Sequence, residues 1–418
     1  MRSLLTRFLC FCLRIFFRRI EVMGRHRVPE EGPVIFAVNH PNGLVDPLFV
    51  MCSSGRPVSF LAKAPILRYP VVGWIARVFE TIPVHRRQDQ TVGSNEEMFA
   101  RARALLRKGG SIAIFPEGTT HDDPQLRELK TGAARIALGA GLAETQVIPV
   151  GIYYTAKHVF RSAALVVYGE PLRVASMGEG EPLPEEVARL TGKIDAGLDT
   201  VTVQADSHAA MAMITRAEDI FTADEDEPLA KGFELRRRFI EGYRYLRAHD
   251  PARLDKLQRS IARFEGALGR AKLDVHELKP RLSAMLLFRV LILLPIAAAG
   301  AIVNYPVYLF IHVLAQRLAK GESAVLATIK FLAALAFYPL VYVVLALVAG
   351  VRFGWLAGVG TALILPFMAY VTLRVFEDID DIIGDIRGML YPRKHLLVQR
   401  RAILEELFDV AREMEMGD

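Results

Sequence analysis

Between residues 30 and 170, short apolar runs alternate with stretches in which apolar residues recur every three or four positions. Val34–Val38, Val58–Leu61, Thr81–Val84, Ser111–Phe115, Val147–Tyr153 and Ala164–Val167 read as largely buried strands. Asp46–Cys52, Val71–Val78, Asn95–Lys108 and Thr131–Leu138 carry helical spacing, and Gly109-Gly110 stops the third of them. Alternation of this kind predicts an α/β unit whose functional residues sit in the loops leaving the strands. From Pro184 to Val275 the pattern turns to helix only, with Glu234–Leu246 and Ala252–Leu268 the clearest segments.

Three charge-free stretches follow: Val290–Gln316, Phe331–Val351 and Phe353–Leu373. A bilayer-spanning helix needs about 20 apolar residues. The second and third fit that length and predict a transmembrane hairpin with Arg352 in its turn. The first is long for one span and contains Pro295, Gly300, Asn304 and Pro306, so it is expected to re-enter and return on the same side. Basic residues flank that design: Lys279 before it, Arg317 and Lys320 after it, and Arg393, Lys394, Arg400 and Arg401 in the tail. The positive-inside rule then puts the catalytic part and the tail on the cytoplasmic face of an integral membrane protein.

At the N-terminus, Arg7, Arg14 and Arg18 line one stripe of a helix, and Leu5, Phe8, Leu9, Cys12 and Phe16 another. Phe11, Ile15 and Phe17 widen the apolar face, which suits the plane of a membrane interface. The domain plan is therefore 1–22 interfacial helix, 23–180 α/β domain, 181–283 helical extension, 284–375 membrane region and 376–418 helical tail. The composition is 52% hydrophobic with a net charge of +6, a balance that suits an anionic bilayer or phosphate-bearing substrates; no nucleic-acid partner is expected. Cys10, Cys12 and Cys52 form no disulfide framework, which predicts a reducing compartment, and no Cys/His spacing suggests a metal.

The strongest chemical signal is Asn39-His40-Pro41-Asn42-Gly43-Leu44-Val45-Asp46, at a strand end. His40 can act as general base, and Asp46 can hold its tautomer. No serine or cysteine nucleophile lies in the stretch, which points to direct attack by a substrate hydroxyl. Alone, such a pair is more often two surface residues. Ile114-Phe115-Pro116-Glu117-Gly118 ends another strand, with Glu117 on a turn that Gly118 permits. Ile82-Pro83-Val84-His85-Arg86-Arg87 places Arg86 where it suits bidentate phosphate binding. Lys63, Lys130 and Arg161 are further candidates for phosphate contact.

In this order, with the apolar block Val147-Ile148-Pro149-Val150, these motifs resemble the glycerolipid acyltransferase superfamily. His121-Asp122, Leu129-Lys130-Thr131-Gly132, Tyr168-Gly169-Glu170-Pro171 and Asn304-Tyr305-Pro306-Val307 are similar to its fungal glycerol-3-phosphate/dihydroxyacetone-phosphate acyltransferase branch. The superfamily commonly leaves four residues between the histidine and the aspartate; here there are five, which that branch tolerates. Thr119-Thr120 also departs from the branch, where a small glycine-serine pair is usual. The resemblance implies an α/β acyltransferase domain, a helical extension and a C-terminal α-helical membrane region. It implies His40 and Asp46 as catalytic residues, with Arg86, Glu117, Gly118, Lys63, Lys130 and Arg161 at the substrate. The donor would be acyl-CoA or an acyl carrier protein, the acceptor a glycerol phosphate, and the partners membrane lipids; no cofactor is implied. Lysophosphatidate acylation is the near alternative. A non-catalytic membrane scaffold is opposed by the intact motif residues, and a transporter by the lack of an intramembrane charge pair.

Overall fold

A computed structural model describes residues 1–85, 95–175, 182–223, 228–279, 282–320 and 323–417. They fall into two compact units: Met1–Asp206 with a short segment ending at Thr328, and the remainder of the chain from Ser207.

The first unit is built on a mixed sheet of β1 (Arg19–Met23), β2 (Val34–Val38), β3 (Val58–Lys63), β4 (Ile82–Val84), β5 (Ser111–Ile114), β6 (Glu144–Tyr154), β7 (Ala163–Tyr168) and β8 (Leu172–Ala175). The order is β1-β7-β6-β2-β5-β3-β4, with β8 also beside β6. Strands β2 to β6 run parallel, whereas β7 and β8 pair antiparallel with β6. Every residue of β2 is buried, as expected of a central strand bonded on both edges. The helices of this unit are α1 (Arg2–Phe16), α2 (Val45–Ser53), α3 (Pro70–Val78), α4 (Asn95–Arg107), α5 (Gly132–Leu138) and α6 (Pro184–Val201).

Three expectations change here. The N-terminal helix stops at Phe16, and residues 19–23 pair with β7 as an edge strand. Helix α6 and the chain to residue 206 belong to the α/β unit, not to the helical extension, because α6 packs on β6 and Gln204 accepts the Leu126 N–H at 3.0 Å. Cys10 and Cys52 are joined by a disulfide, contrary to the sequence-based expectation. The reason is tertiary: α1 buries Leu9, Leu13 and Phe16, packs on α2, and so brings two distant cysteines together. Leu4, Phe8, Phe11 and Ile15 remain exposed on α1, an apolar face of the kind that suits an interface.

The second unit contains α7 (His208–Thr222), α8 (Leu229–His249), α9 (Pro251–Ala271), α10 (Ala284–Ala319), α12 (Trp355–Leu390), α13 (Lys394–Gly417) and all but the start of α11 (Ser323–Phe353). Leu254, Leu257, Ile261 and Phe264 of α9 share one core with Leu396, Ile403, Leu407 and Val410 of α13. Arg236 and Glu218 form a buried ion pair between α8 and α7. Burial nevertheless holds the Glu218 carboxyl above its usual range, with the charge of Arg236 opposing the shift.

Helices α10, α11 and α12 are each long and apolar enough to cross a membrane. The re-entrant turn expected within residues 290–316 is absent: α10 is one continuous helix of 36 residues, with Pro295 and Pro306 inside it. Gly300 and Asn304 are contact residues and not turn formers. A Cβ at Gly300 would lie 2.3 Å from the Thr372 hydroxyl oxygen, and Asn304 Oδ1 accepts the Tyr342 hydroxyl at 2.6 Å.

Candidate active site

Because β2, β3, β4, β5 and β6 are parallel, their C-terminal ends share one edge of the sheet. His40 lies two residues beyond β2, and Phe115 to Glu117 follow β5 directly. Tyr154 closes β6, with Lys157 three residues later.

Asp46 sits in the first turn of α2, where the helix dipole favours a negative charge, and it is fully buried. Its Oδ2 lies 2.8 Å from His40 Nδ1 and accepts the Asn42 N–H at 2.7 Å. Its Oδ1 accepts the Tyr154 hydroxyl at 2.5 Å. Three donors compensate for burying the carboxylate. The same bonds dictate the tautomer: an ionised carboxylate only accepts, so Nδ1 of neutral His40 carries the proton and Nε2 is the basic nitrogen. The imidazole stacks on Phe115, with ring centroids 4.2 Å apart, which fixes the ring plane. The five-residue spacing is accommodated by the Asn42-Gly43 bend, in which Asn42 N–H turns back onto Asp46.

Glu117 is buried and is directed inward. It accepts the His40 backbone N–H at 3.0 Å and the Arg127 N–H at 3.0 Å, and it pairs with His121. Gly118 follows at φ +73°, a left-handed conformation that lets the chain reverse after Glu117. Glu117 thus joins the β5 loop to the backbone of His40.

Lys63 ends β3 and is half-buried. Lys130 is exposed, and its N–H donates to Pro116 O at 2.7 Å, closing the loop after β5. Arg161 adopts φ +68° at the end of α1. Its N–H donates to Phe16 O at 2.8 Å and its guanidinium to Ile15 O at 3.0 Å, so it caps that helix. Arg86 lies outside the described residues.

Tyr154, Lys157 and His121 were not singled out as site residues from the sequence. Burial, followed by the charge of Asp46, pushes the Tyr154 phenol well above its ordinary value. Lys157 donates to Pro41 O at 2.9 Å and pairs with Asp122. Burial lowers its ammonium pKa, and Asp46 opposes that shift. His121 had a weak signal, its place four residues after Glu117; Tyr154 had none, since a tyrosine at the end of an apolar strand is ordinary core.

A buried carboxylate that orients a histidine at the carboxyl edge of a parallel sheet is machinery for activating a hydroxyl. The Acyltransferase family model matches residues 19–153, which include β1 through nearly all of β6 and His40, Asn42, Asp46, Phe115 and Glu117. Residues 19–153 thus carry a domain that matches the Acyltransferase family. A second model, the glycerol-3-phosphate acyltransferase 2 C-terminal domain, matches residues 214–414, which cover nearly all of the second unit.

Among similar proteins, an uncharacterized acyltransferase of Schizosaccharomyces pombe is 26% identical over 96% of this chain and 79% of its own length. Glycerol-3-phosphate O-acyltransferase 1 of Saccharomyces cerevisiae is 26% identical over 82% of this chain and 60% of its own length. The 1-acyl-sn-glycerol-3-phosphate acyltransferase of Borreliella burgdorferi is 33% identical, but over only 36% of this chain and 59% of that protein. The chain therefore spans about three fifths of the length of the latter two.

Proposed function

We propose that this protein transfers a fatty acyl group from acyl-CoA or an acyl carrier protein to a hydroxyl of glycerol-3-phosphate, with dihydroxyacetone phosphate a possible second acceptor. The observation that carries the reading is the buried Asp46 carboxylate 2.8 Å from His40 Nδ1, which leaves Nε2 as the base. The acceptor hydroxyl attacks the thioester carbonyl while Nε2 takes its proton. The tetrahedral intermediate collapses to the new ester and a thiolate, and the proton passes from His40 to the departing sulfur. A thiol pKa near 8.5 makes that leaving group good without a strong acid. Asp46 orients His40 and stabilises the imidazolium that forms.

The choice of glycerol-3-phosphate rests on likeness along both units, since the yeast glycerol-3-phosphate enzyme is matched over 82% of this chain. Lysophosphatidate is the second reading, supported by the Borreliella relative across the catalytic unit alone. An active site at the cytoplasmic face, next to the bilayer that receives the product, accords with three apolar helices in the same chain. The deciding assay gives the purified full chain labelled acyl-CoA with glycerol-3-phosphate, dihydroxyacetone phosphate or lysophosphatidate in turn. Turnover of lysophosphatidate with none of glycerol-3-phosphate would reject the first reading.

A further inference from the structure

We propose that α10 lies within one leaflet of the bilayer, with both ends on the face that carries the catalytic unit, and that α11 and α12 cross as a hairpin. The argument begins with a count of crossings. Helix α9 precedes the three apolar helices and α13 follows them, yet Leu257 and Phe264 of α9 share a core with Leu396 and Ile403 of α13. Arg253 of α9 also binds Glu413 of α13 at 2.7 Å. One apolar core cannot straddle a membrane, so the chain before α10 and the chain after α12 occupy the same face. Between them the number of crossings is even, and three spanning helices would make it odd.

The start of α11 identifies the helix that does not cross. Thr328 is buried within the catalytic unit, where its hydroxyl oxygen accepts the Leu44 N–H at 3.0 Å, four residues from His40. The catalytic unit continues directly into α7, and among the described residues no helix from α7 through α9 is long and apolar enough to cross a membrane. Both ends of α10 therefore belong to one face. A continuous helix cannot cross and return, so α10 does neither.

Contacts along α10 describe its course. Asn304 and Phe310 meet Tyr342 and Phe337 of α11. Ala297 O accepts the Thr372 hydroxyl at 3.0 Å, and Gly300 abuts Met368, both on α12. These partners on α11 lie roughly 12–17 residues before the turn at Gly354 and those on α12 roughly 14–18 after it, so these contacts sit about 18–27 Å from the tip along the helices. From Arg289 to Gly300 the partner on α12 runs from Asp378 to Met368, about 15 Å nearer the tip, and from Asn304 to Phe310 the partner on α11 recedes from Tyr342 to Phe337, so the contacts of α10 approach the tip and draw back without reaching it. At its start, Arg289 forms a two-bond pair with Asp378, at 2.8 and 2.5 Å, where α12 turns from apolar to charged. Exposed Leu291, Ile302, Tyr305 and Phe310 surround the helix without a polar face. The partner that fits such a surface is the acyl-chain region of the bilayer.

Site-specific labelling tests this arrangement. The full chain, with Cys12→Ser and its disulfide intact, is synthesised into sealed vesicles of phosphatidylcholine and phosphatidylglycerol and treated with a membrane-impermeant maleimide. Lys279→Cys, Lys320→Cys and Arg401→Cys are expected to label without detergent, and Arg352→Cys only after detergent. Arg317→Cys serves as a second site at the α10–α11 junction. If the junction sites need detergent while Lys279→Cys does not, α10 spans and the proposal fails. If Arg352→Cys labels in sealed vesicles, the hairpin does not cross. A depth measurement gives an independent check. With Trp74 and Trp355 changed to Phe, Ile302→Trp and Phe310→Trp should be quenched alike by lipids brominated at different chain positions. Quenching maxima separated by about 12 Å, the rise of eight helical residues, would show a helix along the membrane normal.

Discussion

Tyr154 Oη donates to Asp46 Oδ1 at 2.5 Å, on the oxygen opposite the one that faces His40. The Asp46 carboxylate is thereby held from β6 as well as from its own loop. Phe17 and Phe49 pack against the Tyr154 ring, so the core of the α/β unit fixes the donor in place.

Tyr154→Phe removes one of three donors to Asp46 while leaving the ring. A hydrogen bond to a charged group contributes about 1.5–3 kcal/mol, so kcat should fall by roughly one to two orders of magnitude with KM little changed. An unchanged kcat would mean that the Asn42 N–H and His40 suffice to hold the carboxylate.

Alkaline stability gives Tyr154 a second signature. Its phenol pKa is raised above the ordinary 10.0 by burial and by Asp46, and that of Tyr168 is also raised by burial. Above pH 10 the unfolded chain loses these protons while the folded one retains them, so stability falls as pH rises through the unfolded value. Thermal melts of the wild type should show that decline, and Tyr154→Phe should lessen its slope. Equal slopes would remove Tyr154 from the linkage.

His40→Ala and Asp46→Asn should each lower kcat by about 10²–10⁴-fold with the fold intact by circular dichroism. The asparagine amide can donate to Nδ1 and so favours the wrong tautomer of His40. Wild-type turnover in Asp46→Asn would exclude the orienting role.

Glu117 separates positioning from substrate binding. Its carboxylate already serves His40, Arg127 and His121. Glu117→Gln should therefore lower kcat on the order of 10-fold while KM for glycerol-3-phosphate stays within error. A rise in that KM at constant kcat would place Glu117 on the acceptor instead.

The Cys10–Cys52 disulfide closes a sequence separation of 42 residues between α1 and α2. Its loss in Cys10→Ser should cost about 2–4 kcal/mol, read as a lower thermal midpoint in detergent. The same midpoint with and without the bond would show that the packing of Leu9 and Leu13 alone holds α1 in place.

The sequence by itself determined most of the α/β pattern and the pairing of His40 with Asp46. Strand burial and helical spacing are local periodicities, and β2 occupies Val34–Val38 as read. It did not reveal β1 or β8, since a short edge strand with an exposed side lacks a continuous apolar run. Glu117 and Arg161 were visible as residues, but their partners depend on which backbone groups a fold brings near. Tyr154 and the Cys10–Cys52 bond come from segments distant in sequence, and no local pattern encodes such contacts. The first apolar stretch shows the division most clearly. Its prolines and its length suggested a turn, because composition reports where a helix can bend. Only the packing of Gly300 and Asn304 against α12 and α11 decided that it stays continuous, because small and polar residues in an apolar helix serve close approach to a neighbour as readily as they serve a break.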